Sequence, residues 1–104
     1  MLPTQSAEDR AAALERAAEA RRARALIRHR LKFAGASIAE VLEQGRSDDA
    51  IGRMRVVTLF ESMPGVGRVR ARELMGALGI ADSRRIRGLG PQQVQAIVEH
   101  FGTH

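Results

Sequence analysis

Apolar positions recur at helical spacing along almost the whole chain. Ala20, Ala23, Ile27, Leu31 and Ala34, with Leu26 alongside, fall three or four residues apart and mark one face of a helix. Together with the Ala- and Arg-rich stretch before them, they predict one long helix over residues 5–33, ended by Gly35. Its first half offers only alanines and Leu14. That half is expected to project into solvent, frayed or folding on contact with a partner.

Shorter elements follow. Ser37-Ile38-Ala39-Glu40 reads as a capping box, with Ile38, Val41 and Leu42 as a buried face and Gly45 as the stop. Ser47-Asp48-Asp49 is placed to cap a short turn of helix over Ala50 to Met54. Arg55 to Met63 holds Val56, Val57, Leu59 and Phe60 and reads as a short apolar helix closed by Pro64. The β-branched pair leaves a strand open there, but no second strand is in view to pair with it.

The last forty or so residues repeat with a period of 23. Pro64-Gly65-Val66-Gly67 falls on Arg87-Gly88-Leu89-Gly90. Ala71, Leu74, Met75 and Leu78 fall on Val94, Ile97, Val98 and Phe101, and Gly79 falls on Gly102. Each copy reads as a glycine–hydrophobe–glycine turn, an amphipathic helix and a glycine cap. The predicted fold is all-α: a long N-terminal helix (1–34), then a small helical domain (35–104) ending in the repeated pair at about 64–102.

Charge changes the picture. The 104 residues carry a net charge of +5, and every cation but Lys32 is Arg, whose planar fork matches phosphate. Residues 10–32 hold eight cations against Glu15 and Glu19, and residues 64–104 hold six Arg against three acids. The stretch between them is net acidic. Two basic blocks around an acidic middle point to a polyanion met at two places. In each glycine turn the backbone reaches a helix N-terminus, where unpaired N–H groups and the helix dipole favour an anion. Arg68 and Arg72 share a face beside the first turn. In Ser83-Arg84-Arg85-Ile86-Arg87-Gly88, Ser83 is placed to cap a turn, Ile86 to point inward, and the three arginines to fan outward around an anion.

With these residues in view, "MPGVGRVRARELMGALGIADSRRIRGLG" resembles the helix-two-turns-helix region of the actinobacterial, mycobacterial-type integration host factors. The Arg/Ala-rich N-terminal helix, "LKFAGASIAEVLEQG" and "RVVTLFESMPGVG" are similar to the same family in order. More distantly, the C-terminal half resembles helix-hairpin-helix pairs and a ribosomal small-subunit protein. The resemblance implies a nucleoid-associated, cytoplasmic protein, monomeric when free. Such a protein binds double-stranded DNA with little sequence preference, bends or compacts it, and assists recombination. It implies DNA contacts at Pro64, Gly65, Val66, Gly67 and Arg68, at Arg84, Arg85 and Arg87, and at Arg28, Lys32, Gly35 and Ser37. The chain departs from the family pattern at Phe33.

Other classes are weighed against this. RNA or ribosome binding is the alternative a basic helix-two-turns-helix region permits. Catalysis is not expected: DNA glycosylases carry a similar region but need a terminal proline, and here Leu2 precedes Pro3. His29, His100 and His104 are scattered and suggest no nucleophile–base pair. No cysteine is present for disulfides or thiolate metal sites, and no apolar run approaches the roughly 18 residues of a membrane span. No metal, cofactor or small-molecule substrate is expected.

Overall fold

The computed structural model describes residues 6–102. The expected helix start at residue 5, Pro3 and His104 lie outside them. Helix α1 runs over Ala7–Phe33, 27 residues and about 40 Å at 1.5 Å per residue. Ser6 starts it: its Oγ accepts the Asp9 N–H at 3.0 Å, and the Asp9 carboxylate accepts the Ser6 N–H at 3.3 Å. Of the apolar stripe only Ile27 and Leu31 are buried; Leu26 remains 49% exposed and Ala34 is an exposed C-cap. The first turns of α1 are exposed, with Leu14 at 70%, and contact with the rest of the fold begins along an alanine edge. Ala13, Ala17 and Ala20 lie across a shallow groove from Asp49, Ala50 and Arg53, because short alanine side chains let the next layer approach.

Helix α2 (Ile38–Gln44) is capped by Ser37, whose Oγ accepts the Glu40 N–H at 3.3 Å; only this half of the predicted box forms. Helix α3 is a single turn, Asp49–Gly52, capped by the Asp48 carboxylate on the Ile51 N–H at 3.2 Å. Gly45 ends α2 with φ −65°, a conformation open to any residue. What requires glycine there is space: a Cβ would lie 2.6 Å from the Ile86 Cγ2. A Cβ on Gly52 would likewise lie 2.6 Å from the Gly45 carbonyl oxygen.

Helix α4 covers Val56–Glu61, so the β-branched pair is helical. A β-type pairing nevertheless occurs one residue earlier, with a partner beyond the next helix. Arg55 and Arg85 form an antiparallel bridge, in which Val56 N–H donates to the Arg84 carbonyl and Ile86 N–H to the Met54 carbonyl, both at 2.9 Å. Helices α5 (Arg68–Ala77) and α6 (Pro91–Phe101) are the two repeat helices, with a 3-10 turn at Ile86–Gly88 between them. The repeat is faithful at their C-termini, where Gly79 and Gly102 adopt φ +68° and +87°.

One aliphatic core joins these elements. It runs from Ile27 and Leu31 through Ile38, Val41 and Ile51 to Val56, Leu59, Phe60, Met75 and Ile97. Phe60, fully buried, meets Phe101 at a ring-centroid distance of 5.4 Å. Among the described residues the fold is all-helical apart from the one bridge.

Candidate nucleic-acid interface

The first glycine turn is open. Phe60 and Ser62 bury the end of α4, and the chain then turns through exposed Pro64 and Gly65, with Val66 N–H bonded to the Met63 carbonyl at 3.1 Å. Gly65 has φ +75°, which disfavours a side chain. Nothing lies within 4 Å of where a Cβ would stand on Gly65 or Gly67. Val66 is half-buried and anchors the turn against the core. Gly67 starts α5 without any side-chain cap. The first helical bond is from Ala71 N–H to the Gly67 carbonyl, at 2.9 Å, so the N–H groups of Arg68, Val69 and Arg70 have no helical acceptor. Arg68 is exposed beside them. An anion placed here meets backbone donors, the positive end of a ten-residue helix and a guanidinium.

The second turn offers one donor fewer than the first: α6 also begins without a side-chain cap, with the Gln92 and Gln93 N–H groups lacking a helical acceptor. Pro91 occupies the first position of α6 and has no N–H to offer. The Gly90 N–H is taken by the Gln93 Oε1 at 3.0 Å. Gly88 is outside the left-handed region, and Arg84 folds over it, donating from Nη1 to the Gly88 carbonyl at 2.8 Å. The three arginines each place one donor on a different protein acceptor. Arg85 donates to the Arg53 carbonyl at 2.6 Å, and Arg87 pairs with Asp49 at 3.2 Å. Ser83 is exposed and does not cap the 3-10 turn, which begins at Ile86 with Arg85 before it and no side-chain cap.

The end of α1 is stitched to the first turn. Arg28 Nε donates to Ser62 Oγ at 3.0 Å, and Lys32 Nζ donates to the Glu61 carbonyl at 3.0 Å, just before Pro64. The fold thus brings Arg28, Lys32 and the Pro64–Arg68 turn together. Gly35, with φ +70°, is exposed in the following loop, whereas Ser37 is buried at 4% exposure with its hydroxyl spent on the α2 cap.

Four arginines that sequence reasoning did not single out share one groove with two that it did. Arg21, Arg24 and Arg28 from α1, and Arg53, Arg55 and Arg85 from the α3–α4 junction and the bridge, line a space of about 540 Å³. No acidic side chain lines it. The positions 21, 24 and 28 share one face of α1, a cationic stripe visible in the sequence beside the apolar one. Their meeting with Arg53 and Arg55 depends on the tertiary docking of α1.

Residues 31–101 match the family model of the S13-like H2TH domain. The chain is 54% identical over 102 residues to the integration host factor of Streptomyces coelicolor, covering 98% of this chain and 95% of that one. It is 50% identical over 102 residues to that of Mycobacterium tuberculosis, covering 98% and 97%. It is also similar to the solved structure of sIHF bound to an 8 bp palindromic DNA, with a TM-score of 0.83 and 53% identity over 85% of this chain and 99% of that one.

Proposed function

The chain belongs to the integration host factor family, and we propose that it binds duplex DNA through backbone phosphates, with little sequence preference, as a nucleoid protein. The observation that carries this reading is the open first turn: the N–H groups of Arg68, Val69 and Arg70 stand uncapped behind two glycines with nothing above them. Phosphate contacts of this kind fix position and carry no base code. The DNA-bound solved relative supports the choice of partner.

The finer reading is that the duplex is bent. Arg28 and Lys32 lie beside one contact and Arg85 lies across the arginine groove from them. A duplex that follows this arc meets more cations than a straight one. Smooth bending of a short site costs on the order of 1–6 kcal/mol, which added phosphate contacts offset. Compaction of DNA and assistance to recombination follow from such bending, and the free protein acts as a monomer. Structured RNA is the competing ligand, since a cationic track does not by itself select the sugar.

A gel shift with random-sequence duplex, repeated across salt, tests the reading. With about five phosphates neutralised, log K falls against log salt with a slope of about −4 to −5. Replacing Arg84, Arg85 and Arg87 by Ala weakens binding to all sequences alike. A flat salt dependence, or tighter binding to structured RNA in competition, rejects the proposal.

A further inference from the structure

The arginine groove carries an inference beyond the two contacts already described. Three arginines of α1 and three of the core line one concave space with no acidic residue, while Glu19 and Asp49 line the adjoining groove that shares Arg21, Arg24 and Arg53. Like charges gathered this way repel unless an anion lies between them. The surrounding bonds hold the groups in place without neutralising the set. Arg28 spends its Nε on Ser62, and Arg85 spends one Nη on a backbone carbonyl. Arg53 is held from the rim by Asp49, with Nε to Oδ2 at 3.1 Å. Each keeps further N–H donors, because a guanidinium has five. Among the described residues no ion pair involves Arg21, Arg24 or Arg55.

We infer that this groove is a phosphate-binding site in its own right, and that it seats consecutive phosphodiesters of the DNA backbone with Arg21, Arg24, Arg53 and Arg55 as ligating residues. The inference rests on the DNA-binding reading for the identity of the ligand and on the groove alone for the site. The groove shares Arg28 with the α1 contact and Arg85 with the 3-10 turn, so it makes one continuous track of two otherwise separate patches. Seating phosphates there also neutralises the repulsion between α1 and the core, so an occupied groove holds the long helix to the domain.

The test uses the full chain and the double variant Arg24→Ala/Arg55→Ala; Arg24 is half-buried and Arg55 exposed, and with neither in an ion pair their removal leaves no orphaned acid behind. Sodium tripolyphosphate, added without DNA, raises the melting temperature of the wild type with dose, and raises that of the double variant much less. In gel shifts on duplex DNA, the double variant loses about 1.8 from the magnitude of the salt slope, two phosphates' worth. If tripolyphosphate stabilises both proteins equally, the groove is not an anion site. If it selects the wild type while the DNA salt slope is unchanged, the groove serves a small polyphosphate, and its assignment to DNA is overturned. A wild type that binds no duplex rejects the functional reading above, while the tripolyphosphate result still decides whether the groove binds phosphate.

Discussion

The two glycine turns share a sequence pattern and a spacing, yet they present different surfaces. Gly65-Val66-Gly67 opens onto α5 with its first amides unclaimed and free space above both glycines. Gly88-Leu89-Gly90 opens onto α6 with a proline at the first position, a glutamine on the Gly90 amide and an arginine folded over Gly88. The hydrophobic registers of the two helices match because both bury the same kind of face against one core. The turns diverge because the residues flanking the glycines decide whether backbone donors face solvent or a side chain. A repeated motif therefore predicts a repeated fold more securely than a repeated site.

The second turn is braced from behind, and the largest expected effect lies there. A Cβ at position 52 would stand 2.6 Å from the Gly45 carbonyl oxygen and 3.3 Å from the Arg87 Cβ. Gly52→Ala must push backbone apart, and overpacking of this kind costs about 1–3 kcal/mol. Differential scanning calorimetry checks it as a fall in Tm of roughly 4–8 °C per kcal/mol. Next in size is Gly65→Ala, which places a side chain at φ +75° and costs about 1–2 kcal/mol, against a few tenths for Gly88→Ala, where only a movable Arg84 side chain is near. Chemical denaturation of the pair separates the turns by backbone conformation alone. Between these two lies Gln93→Ala, which frees the Gly90 amide at a cost of about 0.5–1 kcal/mol by the same measurement and leaves duplex affinity unchanged.

Much of this fold was legible from residue types and spacing. The helical faces of α2, α4, α5 and α6 follow from the spacing of Val41, Leu59, Leu74 and Ile97, which all prove buried. Gly79 and Gly102 are readable as caps because both repeat helices end at them. Gly45 marks a helix end for a different reason from the one its sequence suggests: it clears room for Ile86, a contact between distant parts of the chain. The Arg55–Arg85 bridge was hidden for the same reason, since pairing requires the docking of the 3-10 turn onto the α3–α4 junction. Of the candidate site, Arg28, Lys32 and the Pro64–Arg68 turn could be named from sequence, but their adjacency rests on Ser62 and the Glu61 carbonyl. Arg84, Arg85 and Arg87 point to three different acceptors, the Gly88 carbonyl, the Arg53 carbonyl and Asp49, a divergence set by tertiary neighbours that spacing alone does not show, and each keeps further donors.

The central claim is that the amides at the first turn, with open glycines and Arg68 beside them, grip phosphate more tightly than those at the second, where Pro91 removes one donor. Gly67→Asp and Gly90→Asp test it most directly when their dissociation constants for a random-sequence duplex are measured by fluorescence anisotropy at one fixed salt. Both glycines have extended backbone that accepts a side chain. At Gly67 the new carboxylate caps α5 and takes the donors meant for phosphate, so the folded protein keeps its Tm while binding weakens tenfold or more, the worth of about one charge-assisted hydrogen bond. At Gly90, where Pro91 already removes the first donor, the same charge costs less, about threefold, through its nearness to the arginines of the 3-10 turn. Equal losses in the two variants, or undiminished binding by Gly67→Asp, would contradict the account.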